Sequence, residues 1–219
     1  MRWFGELFSD LFDLLAPAEC VGCLEPHPPE PETGGAVGLC SLCRDTLVVA
    51  SDPPPGIWVP YEHGGALASA IHRAKYGSEP AFARTLGRLL SVALPSDRRA
   101  FDAVVPVPLH RRRLSQRGFN QAAEMARALG PRVAHGLVRR TRDTPAQVGL
   151  GRHDRLLNVA GAFAVSEPGR VRGARLLVVD DVVTTGATLR ELTKVLAEAG
   201  AVRVQAVALS RAALAGGRG

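Results

Sequence analysis

Two groups of residues in this sequence have the types and spacing to do chemistry. The first is Asp180-Asp181-Val182-Val183-Thr184-Thr185-Gly186-Ala187-Thr188, which follows the apolar run Leu176 to Val179. Leu189, Leu192, Val195 and Leu196 recur at helical spacing after it, so the segment joins a buried strand to the start of a helix. Unpaired backbone N–H groups and the positive end of the helix dipole converge at such a start, where a phosphate monoester fits. Gly186 lets the backbone approach the anion closely, and the hydroxyls of Thr184, Thr185 and Thr188 add uncharged donors. Asp180 and Asp181 fall at the carboxyl end of the strand, where ligands of open α/β sheets bind. Successive side chains of an extended segment point apart, so the two carboxylates are expected not to share a proton. Accepting hydrogen bonds from vicinal sugar hydroxyls, with help to a magnesium ion, suits them better. Plain helix capping by Asp and Thr is the simpler alternative, but it does not require two acids, three threonines and a glycine together. No Gly-x-x-x-x-Gly-Lys precedes the helix, which argues against a P-loop nucleotidase.

The second group is Cys20-x-x-Cys23 and Cys40-x-x-Cys43, with sixteen residues between the pairs. Each pair can form a tight knuckle presenting two thiolates to one metal, and two knuckles complete the tetrahedral site of a zinc ribbon. Four thiolates close the coordination sphere, so the zinc is structural and non-catalytic. Disulfides are the rival use, but a chain without an export signal keeps its thiols reduced. The insert between the pairs, with Pro26, Pro28, Pro29, Pro31, Gly34 and Gly35, cannot build its own core, and a metal supplies the missing order.

The elements around these groups read as α/β. Ile57 to Tyr61 is expected as a short strand, Gly65 to Tyr76 and Glu79 to Leu94 as helices, and Ala103 to Val107 as a further strand. Beyond it, Pro106-Val107-Pro108-Leu109-His110 leads into an arginine-rich loop, and Asn120 to Leu129 is expected to be helical. Backbone groups and guanidinium forks of that loop suit a pyrophosphate. Arg132 to Val138, Gly161 to Val165 and Ala201 to Leu209 complete the strands, and the polar stretch Arg139 to Asn158 is placed as a closing lid. The fold class is thus α/β, a parallel sheet flanked by helices, with a small N-terminal zinc-ribbon domain. Pro53 to Pro55 marks the linker, giving a division into residues 1–55 and 56–219.

With 219 residues, 46% hydrophobic and 22% charged, the composition is that of a globular protein, and no segment reaches the length of a membrane span. Met1 to Leu15 is interrupted by Glu6, Asp10 and Asp13, which excludes a signal-peptide core and suits an amphipathic helix, so the cytoplasm is expected. The net charge of +6 conceals a strong asymmetry: residues 108–155 hold eleven arginines against three acids. Such concentration suggests a polyanion or polyphosphate, a solvated basic face being the alternative. The chain has only 5% aromatics, and Phe119 alone sits in the basic stretch, so base stacking has little visible support.

The Asp-Asp-x-x-Thr-Thr-Gly-Ala-Thr loop resembles the phosphoribosyl-diphosphate signature of type I phosphoribosyltransferases. Taken with the cysteine pairs, Lys75-Tyr76-Gly77, Pro-Val-Pro-Leu-His, Arg117-Gly118-Phe119-Asn120-Gln121 and Thr144 to Asn158, the order is similar to the ComF (ComFC-like) competence family over nearly the whole chain. The resemblance implies a type I phosphoribosyltransferase fold with an N-terminal zinc finger, in bacteria that take up or process single-stranded DNA. Carried over by position, Asp180 and Asp181 bind ribose, and Thr184, Thr185, Gly186, Ala187 and Thr188 bind the 5-phosphate. The turn holding Pro108 and His110, with Arg112, Arg117 and Lys75, takes the pyrophosphate. Lys75 has a surface role as its alternative. His110 is either a general base or, as histidines beside arginines more often are, an anion contact. Two functions follow. One is a transferase using phosphoribosyl diphosphate and magnesium, although no residue marks an acceptor pocket. The other is a non-catalytic module that senses phosphoribosyl diphosphate or binds single-stranded DNA beside the DNA-uptake machinery.

Overall fold

The computed structural model describes residues 19–26, 38–77, 79–130, 132–142 and 159–213. The expected helix at Met1 to Leu15, most of the proline-rich insert, and residues 143–158 of the expected lid lie outside them.

The centre of the molecule is a parallel sheet in the order β1-β7-β6-β3, where β1 is Ile57–Trp58, β3 Ala103–Pro106, β6 Arg175–Val183 and β7 Arg203–Arg211. β2 (Tyr61–Glu62) also pairs with β7, in register Tyr61 with Ser210. The strand expected from Ile57 to Tyr61 is thus two pieces, because Pro60 has no N–H to give the ladder. Leu176, Leu177, Val178 and Val179 are all buried, as a parallel strand covered on both faces must be. Alternate residues serve opposite faces. Leu177 and Val179 join Val207 and Leu209 under helices α2 (Gly65–Tyr76), α3 (Pro80–Ala93) and α5 (Gln121–Ala126). Leu176 and Val178 join Ala206, Ala208 and Val171 of the short helix α6 (Pro168–Val171) under α7 (Ala187–Glu198), through its Leu189, Leu192 and Leu196. No helix among the described residues is long and apolar enough to cross a membrane.

Three segments differ from expectation for local reasons. Arg111–Arg117 is a helix, α4, rather than a loop: the His110 side chain accepts from Arg112 N, and Gly118 ends the helix at φ 76°. α5 stops at Ala126 because the chain tightens into three-residue turns, with Ala128 N donating to Met125 O and Leu129 N to Ala126 O. Of the strand expected from Arg132 to Val138, the part before Val138 makes a bridge from Val133 to Val104 and no strand. Gly136 then turns the chain at φ 73°, and β4 (Val138–Arg140) pairs antiparallel with β5 (Phe163–Val165) as a separate ribbon.

The four-cysteine segment, with the short helix α1 (Ser41–Asp45), docks on α2: Cys20, Val21, Leu39 and Cys43 share one hydrophobic cluster with Leu67, Ala70 and Ile71. α3 and α5 approach closely at Gly87, where an added Cβ would lie 2.3 Å from Met125 O. Backbone cannot yield there, so Gly87→Ala should destabilise by about 3 kcal/mol, the upper end of overpacking costs. That exceeds the roughly 1 kcal/mol of helix propensity that alanine adds. Urea unfolding with an unchanged slope would show it; a midpoint at or above the parent's would mean the helices can separate freely.

Candidate functional site

β6 carries Asp180 and Asp181 to the carboxyl edge of the sheet, and Thr184 to Gly186 connect it to α7. Gly186 is the N-cap of α7 at φ 76°, and a Cβ there would strike Ile57 Cδ1 at 2.4 Å. Conformation and packing therefore both demand glycine. Thr185 is buried and turned inward, its Oγ1 accepting from Ala187 N at 3.3 Å while its carbonyl accepts from Arg190. Thr184 and Thr188, by contrast, line a small cavity of about 30 Å³ with Asp180, Val182, Val183, Gly186, Ala187 and Leu189. This cavity lies at the amino end of a twelve-residue helix, the placement an anion needs. A larger cavity, about 530 Å³, lies along α7 between Ile57, Arg190 and Lys194 and includes neither aspartate.

Asp181 is buried, with Oδ1 accepting from Val182 N at 2.7 Å. Its Oδ2 is closed off from solvent and faces Lys75 Nζ at 3.1 Å. Lys75 is thus not a free surface lysine; the last turn of α2 aims it into the site. Asp180 Oδ1 accepts from Asp181 N at 3.0 Å. Burial, joined by the neighbouring Asp181 charge and opposed by Lys75, brings the Asp180 carboxyl up to about 8. Each carboxylate accepts from the backbone N–H that follows it, and Lys75 pairs with Asp181 alone.

The unfolded Asp180 loses its proton near pH 4, whereas the folded one holds it to about 8. The folded state binds the extra proton in between, so this group makes stability fall as pH rises from about 4 to 8. Asp180→Asn should flatten that decline, equalling the parent near pH 4 and exceeding it near pH 8. Thermal unfolding at both pH values tests it, and parallel curves for the two proteins would remove the shift.

His63, which no sequence pattern marks, belongs to the same neighbourhood. Its Nδ1 lies 3.1 Å from Ser210 Oγ, and Ser210 Oγ donates to Asp181 O at 3.5 Å. Burial holds the imidazole below its ordinary value, Lys75 lowers it further, and Asp181 opposes the fall.

β3 brings the expected pyrophosphate side next to the carboxylates, since Pro106 is in register with Val179 and Val107 N donates to Val179 O at 2.9 Å. Pro108 continues that strand end. Asn120 Nδ2 donates to Val107 O at 3.0 Å and fixes the turn that follows. His110 spends Nδ1 on the α4 cap, 3.4 Å from Arg112 N, and Arg112 is exposed on α4. Arg117 Nη1 donates to Gln121 Oε1 at 3.1 Å, and its guanidinium lies over the Tyr76 ring at 5.3 Å. The His72 ring lies 4.8 Å from that of Tyr76, which is 63% exposed. The structure thus brings Lys75 and Asp181 into contact beside Asp180, and sets Arg117 against the residue that follows Lys75.

The four cysteines converge. Their sulfurs all lie within 4.8 Å of one another, and Cys23 Sγ is 3.8 Å from Cys40 Sγ. Thiolates at the roughly 2.3 Å zinc–sulfur distance of a tetrahedral site are separated by about 3.8 Å, so the donor set fits zinc. Burial acts to raise the Cys20 thiol, but N–H groups of Cys40, Cys23 and Gly22 outweigh it and bring the thiol down to about 6. Donors arranged to stabilise a thiolate are what a metal-binding knuckle requires.

Residues 72–215 match the family described as the phosphoribosyl transferase domain. Competence protein F of Haemophilus influenzae is 35% identical over 156 residues, covering 67% of this chain and 68% of the relative. DNA utilization protein YhgH of Escherichia coli K12 is 36% identical over 160 residues, 68% of this chain and 69% of the relative. Competence protein ComFC of Bacillus subtilis is 32% identical over 97 residues, 44% of this chain and 39% of that one. Among solved structures, a phosphoribosyltransferase from Corynebacterium diphtheriae covers 65% of this chain and 82% of its own at 23% identity and a TM-score of 0.35. With a phosphoribosyl transferase domain over most of its length, a four-cysteine cluster before it, and competence proteins at such identity, the chain belongs to the ComF family of phosphoribosyltransferase-like competence proteins.

Proposed function

We propose that this protein binds phosphoribosyl diphosphate with magnesium at the carboxyl edge of the sheet and transfers the phosphoribosyl group to an acceptor. The observation that carries this reading is the placement of the Asp180–Asp181 pair, held by Lys75, directly before the loop that opens α7. The α7 start and the Thr184 and Thr188 hydroxyls take the 5-phosphate, and Asp180 and Asp181 accept from the ribose hydroxyls. The β3 end with Pro108 and His110, with Arg112 and Arg117 of α4, receives the diphosphate. Asp180 and Asp181 would also hold the magnesium ion, which neutralises diphosphate charge when bound. Loss of the diphosphate leaves positive charge on the ribosyl carbon, and the carboxylates stabilise it while the arginines stabilise the departing anion. Asp180 must give up its proton to do so, which ties ligand binding to pH.

The relatives' names support a role in DNA uptake, and four cysteines converging on one metal suit the reducing cytoplasm. Calorimetric titration of phosphoribosyl diphosphate with magnesium into the zinc-loaded protein tests the site, and pyrophosphate release in the presence of candidate acceptors tests the transfer. Absence of saturable binding would sink the reading; saturable binding without release would make the protein a sensor.

Single-stranded DNA binding is a second reading, favoured by the exposed Tyr76 ring, which stands against Arg117 and α4 and which the low aromatic content did not announce. A base stacked on tyrosine contributes roughly 1–3 kcal/mol, so Tyr76→Ala should weaken binding of a labelled oligonucleotide by about tenfold. Fluorescence anisotropy at fixed salt reads this directly, and unchanged affinity would leave Tyr76 out of any DNA contact.

A further inference from the structure

Helix α2 faces two sites at once. Arg73 and Lys75 stand two residues apart on its last turn, and side chains at that spacing point to different faces of a helix. Arg73 Nη1 donates to Val21 O at 2.8 Å and to Gly22 O at 2.6 Å. Both carbonyls belong to the first knuckle, between Cys20 and Cys23. Gly22 packs so tightly that a Cβ would meet Cys43 Sγ at 2.9 Å and Ala66 of α2 at 3.0 Å, so the knuckle is in direct contact with the helix. On the other side, Lys75 Nζ lies 3.1 Å from Asp181 Oδ2, an oxygen sealed from water. Arg73 O also accepts from Gly77 N at 2.6 Å, which closes the helix just past Lys75.

We propose that Arg73 is a positioning residue through which the metal-loaded four-cysteine module holds Lys75 in register with Asp181, so that metal occupancy controls the affinity of the phosphate site. A knuckle keeps its carbonyls aimed at Arg73 only while its thiolates are gathered on a metal. Without the metal, two charge-assisted bonds at the end of α2 have no fixed acceptors. The last turn then frays, Lys75 leaves Asp181, and a buried carboxylate is left without its counter-ion. For its ligand alone, this inference rests on the phosphoribosyl-diphosphate reading above. Reciprocity gives a second consequence: if metal tightens ligand binding by some factor, ligand must tighten metal binding by the same factor.

The test is amide hydrogen exchange on the full chain, zinc-loaded and after chelation, joined to calorimetry with phosphoribosyl diphosphate. Chelation should raise exchange at residues 74–77 at least tenfold while Leu177 and Leu209 stay protected. Arg73→Gln, still holding one zinc per chain, should show the same rise at 74–77 and at least tenfold weaker ligand binding, and Arg73→Lys should recover part of both. Unchanged exchange at 74–77 on chelation, with the knuckle amides exposed, would overturn the proposal. So would loss of protection throughout the sheet, which would make the metal a support of the whole fold. Should Arg73→Gln not fold, the chelation experiment decides. A parent protein that never binds phosphoribosyl diphosphate would sink the ligand reading, and the exchange data would still decide the coupling.

Discussion

Gly186→Ala is expected to abolish measurable binding of phosphoribosyl diphosphate, a loss of at least a hundredfold in affinity. Two costs coincide at this position. The backbone sits at φ 76°, where a side chain costs roughly 1–2 kcal/mol. The new Cβ would also press on Ile57 Cδ1 at 2.4 Å and Arg190 Nη1 at 2.9 Å. Ile57 is buried in β1 and cannot withdraw without disturbing its pairing with Ala206. The loop is the part able to move, and with it go the N–H groups at the start of α7. Calorimetry and a thermal melt on one preparation separate the effects. A well-folded variant with near-parental affinity would show that the ligand does not use the helix start.

Cys40→Ser should release the metal and disorder the module that packs on α2. Cys40 is doubly committed, its Sγ belonging to the four-sulfur cluster and its N–H donating to Cys20 Sγ at 3.3 Å. Structural zinc contributes on the order of 10 kcal/mol of binding free energy in small metal-folded units. A three-thiolate site with a serine should forfeit enough of it to lose the ion during dialysis. Metal content should fall from one zinc per chain to near zero, and proteolysis should begin between residues 19 and 50. Full zinc occupancy in the variant would refute a four-cysteine site.

The buried heart of the fold was legible because its signal is local. Leu176 to Val179 is a run that only a strand covered on both faces can hide, and the spacing of Leu189, Leu192 and Leu196 permits little besides a helix lying along the sheet. Elements whose reasons lie outside their own residues were not legible. Arg111–Arg117 has no apolar stripe, and its helix depends on a histidine cap and a terminal glycine. The break at Pro60 shows only once both flanking pieces are seen to pair with β7.

The site divided in the same way. The aspartates and threonines stood together in one motif, and the spacing of the four cysteines foretold that their sulfurs converge. The raised Asp180 carboxyl depends on how much chain closes over the strand end, a property of the whole fold. Lys75 reaches Asp181 from the end of a separate helix, and His63 meets Ser210 from 147 residues away, too far for any local pattern to register. Arg117 was placed on the diphosphate side by its charge; that its plane rests on Tyr76 follows from the packing of two helices.

The position of β7 has a consequence for how the protein is made. It lies inside the sheet, between β1 and β6, yet it is the last described strand, and Glu62 of β2 waits 149 residues for its partner Arg211. A chain emerging from the ribosome at about 5–20 residues per second would carry β1 and β2 without their partner β7 for on the order of ten seconds, β2 holding only its bridge to Val49. The cysteine knuckles, α2 and α3 are all synthesised before that wait ends. A nascent chain can therefore take up its metal and bury the first face of its helices long before the sheet beneath them is complete.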